Sequence, residues 1–359
     1  METSPLHTIL LFKHWAFDSW GKFRLLKVLD GLSVTLRSSS SVTYVGELIH
    51  LRYLSLTCEP IRKPLRLVSE SLYQLHNLQI LIVRILSTAE SQFYSLDNEY
   101  LNQWYMKFEI WRMPQLRHVI LLDGFLPEPS AESSPSMEDL HTLSRIKDLK
   151  CSKRLLELIP NLKKLGIIYS YKRTYETGWS EYGLDDLVHL HRLEKLSLYA
   201  EPYPKLKDDL SQNIAFPLTL NKLNLSGCRF PWEDMGMIGV LPNLQVLKLK
   251  RRACYGTEWE TTEGEFCQLK VLLVDSTDLL QWITESSHFP RLERLTLYEC
   301  NNLREIPYCF GDHPMLELIE VDIRNSTMVE SAECIKEEQQ SYGNELLQVR
   351  SLKSRSWPS

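Results

Sequence analysis

The chain has 359 residues, 43% of them hydrophobic and 24% charged, the proportions of an ordinary folded protein and not of a disordered or fibrous one. A formal net charge of -5, with a pI near 6.1, argues against a dedicated nucleic-acid binder while leaving room for a local basic patch. The eight cysteines are scattered, with no C-x-x-C and no clustered pairs, which points to reduced thiols in a cytosolic protein, not to a disulfide framework.

The opening METSPLHTILLFKHWAF has no basic segment ahead of its apolar run and no small-residue cleavage pattern, so a signal peptide is not expected. No stretch of the chain reaches the roughly 18 apolar residues of a membrane helix. Leu6, Ile9 and Leu11 form a weak first repeat within residues 1–25. Residues 26–123 then carry irregular versions of one pattern, L-x-x-L-x-L: Leu26, Leu29 and Gly31; Leu51, Leu54 and Leu56; Leu78, Leu81 and Val83; Leu116, Val119 and Leu121. The alternate spacing puts the apolar side chains on one side of an extended segment, so each set predicts a strand.

The last two of these sets start 38 residues apart, well beyond a repeat of about 20 to 29. The aromatic segment 92–111 fills that gap. It predicts a long irregular repeat whose Tyr105, Phe108, Ile110 and Trp111 feed the core, the alternative being an exposed aromatic patch. Residues 124–139, rich in proline and serine, read as a loop or insertion.

Residues 140–325 predict the regular part of the array. Leu140 and Leu143 restart the pattern with Arg145 where a third leucine belongs. A helical return leg around Leu155, Leu156 and Ile159 comes next, then Leu162, Leu165 and Ile167. Six strands then start from Leu193, Leu220, Leu244, Leu269, Leu292 and Leu316, separated by 27, 24, 25, 23 and 24 residues. This is the period of a leucine-rich repeat. With the weak first set and the degenerate one at Leu140, thirteen repeats are expected. The expected fold is an α/β leucine-rich repeat solenoid, a horseshoe with a concave parallel sheet and an irregular or helical convex side. Residues 326–347 predict a C-terminal capping helix, with Val329, Ala332 and Ile335 on one face and Gly343 as its stop, and 348–359 a loose tail.

Candidate catalytic groups are few. His50, His76 and His191 precede strand motifs and read as turn residues, and His189 with His191 lacks further ligands at metal spacing. The adjacent pairs Asp185-Asp186 and Asp208-Asp209 diverge too much for acid and base roles. No phosphate-binding glycine loop, G-x-S-x-G, H-E-x-x-H or paired-cysteine zinc pattern occurs. The sequence therefore predicts no enzyme activity, no metal and no cofactor.

Recognition falls instead to residues between the strand leucines. Arg52, Tyr53, Arg117, Lys163, Lys195, Lys222, Asn224, Lys248, Lys270 and Arg294 are the candidate protein-binding residues of the concave face, against acidic Glu317 and Glu320 at its end. Such a stripe suits an acidic protein surface; the alternative is that these cations only solubilise an exposed sheet. Cys228 and Cys300 occupy the turn position that bonds neighbouring backbone, a structural role.

Taken together, FRLLKVLDGLSV, GELIHLRYLSL, IPNLKKLGI, FPRLERLTLYECNNLREIP and VESAECIKEEQQSYGNELLQV resemble the repeat portion of plant intracellular immune receptors of the coiled-coil, nucleotide-binding type, such as the solanaceous late blight resistance homologues. The resemblance implies a cytoplasmic recognition domain, one that can associate with a membrane on activation. It implies partners too: a pathogen effector or guarded host protein, and a coiled-coil/nucleotide-binding module in cis or in trans whose switching the repeats restrain. ATP or ADP would belong to that module, whose phosphate loop and M-H-D segment are not in this sequence, so the chain reads as a truncated product, an isolated domain or a family member that has lost its front portion. A substrate adaptor or scaffold unrelated to immunity is the alternative.

Overall fold

The computed structural model describes residues 8–10, 23–36, 45–58, 72–85, 110–130, 134–170, 178–201 and 208–353. The chain divides into two compact units, Met1–Ile168 and Tyr169–Ser359. Leu6, Leu11, Tyr105, Phe108 and the tail beyond residue 353 lie outside the described residues.

The N-terminal unit carries strands β1 (Thr8–Leu10), β2 (Val28–Leu36), β3 (Tyr53–Cys58), β4 (Ile80–Ile85), β5 (His118–Phe125), β6 (Thr142–Lys147) and β7 (Lys164–Tyr169). They pair in chain order and in parallel. The leucines read from the sequence face inward: Leu51, Leu54, Leu78, Leu81, Leu116 and Val119 are fully buried. Burying a side chain of this size contributes about 1.5–3 kcal/mol. Each repeat supplies three and borrows the rest of its core from its neighbour.

Two expectations for this unit change. Arg145 does not replace the third leucine of its repeat. It takes a left-handed conformation (φ 61°), the β6–β7 register shifts between Leu143 and Ile146, and Ile146, fully buried, fills the place. The extra residue is a bulge, which the leucine spacing alone cannot reveal. The loop expected from residue 124 begins later, because Gly124 and Phe125 still pair in β5 with Ile146 and Lys147. Within the aromatic segment, Ile110 and Trp111 form a 3-10 turn and are buried, and the Trp111 indole donates to the Pro127 carbonyl at 2.7 Å. On the return side, helix α1 (Lys153–Leu158) is capped by Ser152 and buries Leu155 and Leu156.

The C-terminal unit has a second run of parallel strands. These are β8 (Lys195–Ala200), β9 (Lys222–Ser226), β11 (Val246–Lys250), β14 (Val271–Asp275), β16 (Arg294–Tyr298), β17 (Leu318–Asp322) and β18 (Gln348–Leu352), again paired in chain order. Strand β18 corrects the loose tail: residues 348–352 add in parallel to β17, covering the backbone edge that a last strand would leave open.

The return legs of this unit are short 3-10 turns and small strand pairs. Strands β10 (Phe230–Pro231) and β12 (Cys254–Tyr255) pair with each other, as do β13 (Glu258–Glu260) and β15 (Gln281–Ile283). Register in the second pair sets Trp259 beside Trp282, and the two rings stack at 4.8 Å and 7°. Trp232 stacks on the other side of Trp259 at 4.8 Å and 24°. Phe266 and Phe289 stack at 5.0 Å and 14°.

Helix α2 is one turn, Gly236–Gly239. Helix α3 (Ser326–Ser341) starts at Asn325, whose side chain accepts from the Met328 amide. Its buried stripe is Met328, Ala332, Ile335 and Gln339, one residue off the expected Val329 at its start but with the same helical period. Gly343, at φ 84°, sits just past its end in the conformation that ends helices.

A polar ladder ties neighbouring repeats within each unit. Asn77, Asn161 and Asn243 each stand immediately before the first leucine of a strand. Their side-chain amides donate at 2.9 Å to Ile49, Glu138 and Leu218 carbonyls of the preceding repeat.

Candidate functional site

Successive strand residues point to opposite sides, so the inward leucines define which residues form the solvent-facing side of each sheet. In a repeat such as Leu220–Ser226 these are Lys222, Asn224 and Ser226. The residue between the first leucine and the strand lies on the turn instead. Its carbonyl accepts two amides from the next repeat, as Glu194 does from Asn221 at 2.9 Å and Lys222 at 3.1 Å.

This parity sorts the ten candidate residues. Tyr53, Lys195, Lys222, Asn224, Lys248 and Arg294 are strand residues facing solvent. Arg52, Arg117, Lys163 and Lys270 belong to the entry turns, their backbone engaged in that amide ladder. The two groups do not form one line, and each compact unit has its own character.

In the N-terminal unit the strand face includes Ile80, Ile82, Ile120 and Leu122, half-buried beside Tyr53 and His118. The cations Arg52, Arg117, Lys163 and Lys164 are exposed. His118 Nδ1 lies 3.0 Å from Thr142 Oγ1. Burial, then the nearby His141 and Arg117, hold its pKa below the usual histidine value.

In the C-terminal unit the face carries a compact cationic group. Register places Lys222, Val246, Val271 and Arg294 in one row across β9, β11, β14 and β16, and Asn224, Lys248, Leu273 and Thr296 in the next. Lys248 is half-buried, and its pKa is lowered first by that burial and then by Lys222, Lys250 and Arg294. The charged groups acting on it are all cations. Lys250, farther along β11, feels Asp275 as well. Asn224 Oδ1 is buried without a hydrogen-bonding protein partner.

Other charges of this unit are paired internally. Lys270 pairs with Glu293 at 2.6 Å. Arg324 reaches Asp322 at 2.6 Å and Glu299 at 3.2 Å and lies over the Tyr298 ring, 5.4 Å from its centroid. Glu320 accepts from Thr296 at 3.0 Å, so the acidic end of the face is not a mirror image of the basic cluster.

The turn cysteines occupy equivalent places. The Cys228 thiol points to the carbonyls of Leu198 at 3.4 Å and Ser226 at 3.5 Å, and Cys300 to those of Val274 at 3.6 Å and Tyr298 at 3.5 Å. Burial pushes the Cys228 thiol up to about 12 and raises that of Cys300 further, so neither is a nucleophile at neutral pH.

The carboxylate pair Asp208-Asp209 is spent on structure. Asp208 accepts from the backbone of Trp179 at 2.6 Å and Ser180 at 3.2 Å, capping a turn 29 residues away. Asp209 accepts from the Tyr255 hydroxyl at 2.9 Å. His189 faces Asp186 at 3.9 Å. Among the described residues no three metal-ligating side chains gather, and no helix is long and apolar enough to cross a membrane.

Sequence reasoning passed over the apolar members of the face, Val246, Val271 and Leu273, because a search for charge does not see them. Their alternation with buried leucines was the available signal.

A family model described as a leucine-rich repeat region matches residues 12–344. The late blight resistance protein homologue R1B-13 of Solanum demissum is 31% identical over 332 residues, covering 88% of this chain and 26% of that protein. Homologue R1B-16 of the same species is 33% identical over 330 residues, covering 88% and 23%. The chain thus spans about a quarter of the length of these curated relatives. An internalin from Listeria monocytogenes shares the fold alone, with a TM-score of 0.51 and 14% identity over 93% of this chain and 83% of its own. The chain belongs to the leucine-rich repeat family, as a repeat region related to those of the late blight resistance homologues.

Proposed function

We propose that this chain is the non-catalytic recognition domain of a plant disease-resistance receptor, acting in the cytoplasm. Its solvent-facing sheet residues contact a pathogen effector or a guarded host protein. The same domain restrains a nucleotide-binding switch module, which alone handles ATP or ADP.

The observation that carries this reading is the cluster of Lys222, Lys248 and Arg294 on a sheet face whose inward leucines hold it rigid. Like charges brought together in this way raise the free energy of the unbound protein, and an acidic partner surface relieves it. The relatives' description as late blight resistance homologues supports the immune setting.

The test is transient co-expression in leaf tissue with the front portion of a related receptor and candidate effectors, scoring co-precipitation and localised cell death together. Wild-type chain is expected to associate with the switch module and to make cell death effector-dependent. The variant K222E/K248E is expected to lose one of those associations, while K336E, a reversal on α3 away from the cluster, leaves both within about twofold. Association with neither component, or capture of ubiquitin-ligase subunits in their place, would favour the adaptor reading.

A further inference from the structure

Among the described residues, Lys222, Lys248 and Arg294 have no carboxylate within ion-pair distance, unlike Lys270, Arg324 and Lys336. They border Val246, Val271 and Leu273, which register places between them on the same side of the sheet. We propose that these six residues form a docking site for a short extended segment of a partner protein, with one apolar side chain held between two carboxylates. This rests on the recognition reading and specifies the chemistry of its partner.

The geometry sets the spacing of the motif. Adjacent strands lie about 4.8 Å apart, so the row from Lys222 to Arg294, three strand steps, is about 14 Å long. An extended peptide laid across the strands rises about 3.4 Å per residue and presents residues i, i+2 and i+4 to one side. Carboxylates at i and i+4 then meet Lys222 and Arg294, and the side chain at i+2 lies over Val246 and Val271. The fitting motif is acid-x-apolar-x-acid.

Charge and burial agree with this placement. Lys248 stands beside the Lys222 end and is depressed in basicity by burial and by cations only, so that end takes the stronger requirement for an acid. Val246 and Val271 are half-buried, a floor that a peptide of charged residues alone leaves uncovered, and Leu273, already buried, backs them. A nucleic acid would find three cations with aliphatic residues between them and no aromatic ring in either of the two rows.

The experiment is selection of a random peptide display library on the full chain, repeated on K222E/K248E/R294E and on K336E, a reversal on α3 outside the site. The expected result is enrichment of acid-x-apolar-x-acid peptides by the wild type and K336E, and at least about tenfold weaker binding of the selected peptide to the triple variant. K248Q and R294Q, milder changes that preserve folding if the triple variant does not, are expected to weaken it severalfold each, and added salt to weaken it further. Enrichment of neutral or basic peptides, no consensus, or a consensus that all these variants retain overturns the proposal. A chain that yields no such consensus but still co-precipitates effector and switch module loses this site and keeps the recognition reading.

Discussion

The side-chain amide of Gln339 donates to the carbonyl oxygen of Phe310 at 3.0 Å, and to that of His313 at 2.9 Å. Gln339 is 2% exposed, so a polar side chain on the buried stripe of α3 closes the last 3-10 turn, Tyr308–Asp312. Replacing it by leucine keeps the volume but removes one of the two donors to each carbonyl, leaving them the amides of His313 and Leu316, and also removes the bond that Gln339 Oε1 accepts from Asn344. The expected loss is about 1–3 kcal/mol, read as a lowered urea midpoint, whereas exposed Gln340→Leu is expected to be near neutral.

His313 gives a pH dependence. It is 1% exposed; its Nε2 donates to the Phe289 carbonyl at 2.6 Å and its Nδ1 accepts from the Met315 amide at 3.3 Å. Both nitrogens are used by the neutral ring, and burial holds the folded pKa below the unfolded value. The unfolded chain therefore binds the extra proton first, and stability falls as pH drops below about 6.5 toward the folded pKa. Chemical unfolding between pH 8 and 5 is expected to show that slope, and H313Q to flatten part of it.

Two glycines separate crowding from backbone strain. Gly227 has φ 70°, and a Cβ there would meet the Ala200 carbonyl oxygen at 2.2 Å, whereas Gly264 has φ 88° with nothing within 4 Å. Gly264→Ala is expected to cost about 1 kcal/mol, the strain of a left-handed residue. Gly227→Ala adds a backbone collision that no rotamer relieves and is expected to cost more than twice that, measured as the difference in thermal midpoint between the two variants.

The stacked tryptophans behind the C-terminal sheet are the largest single investment in its core. Trp259 is fully buried between Trp232 and Trp282. Trp259→Ala is expected to cost about 3–5 kcal/mol, and Trp259→Phe a smaller amount because a ring still fills the stack. Loss of helical and sheet signal on heating reports both. No change in midpoint for the alanine variant would show that the stack contributes nothing.

Most of the repeat frame was legible because the leucines obey a rule of two faces, and that rule is local. What escaped depended on departures from it. Arg145 occupies a leucine's place in the sequence but not in the sheet, because one left-handed residue inserts a bulge. Lys270 and Lys248 look alike between their leucines, yet one residue of parity sends the first to a turn and the second to the open face. Trp259 and Trp282 are 23 residues apart, as are Phe266 and Phe289, so the aromatic stack is written at the repeat period, outside the leucine pattern. Strand β18 could not be foreseen from QVRSL, since its stability comes from an edge offered by β17.

The asparagine ladder has a consequence for how such a chain can change. Asn77, Asn161 and Asn243 each precede a strand's first leucine by one residue and reach the carbonyl two residues before the corresponding leucine of the repeat behind. The joint between neighbours is thus specified at the strand entrance and is indifferent to how many residues the return leg contains. Insertions or losses in the return legs are therefore expected to leave these three seams aligned.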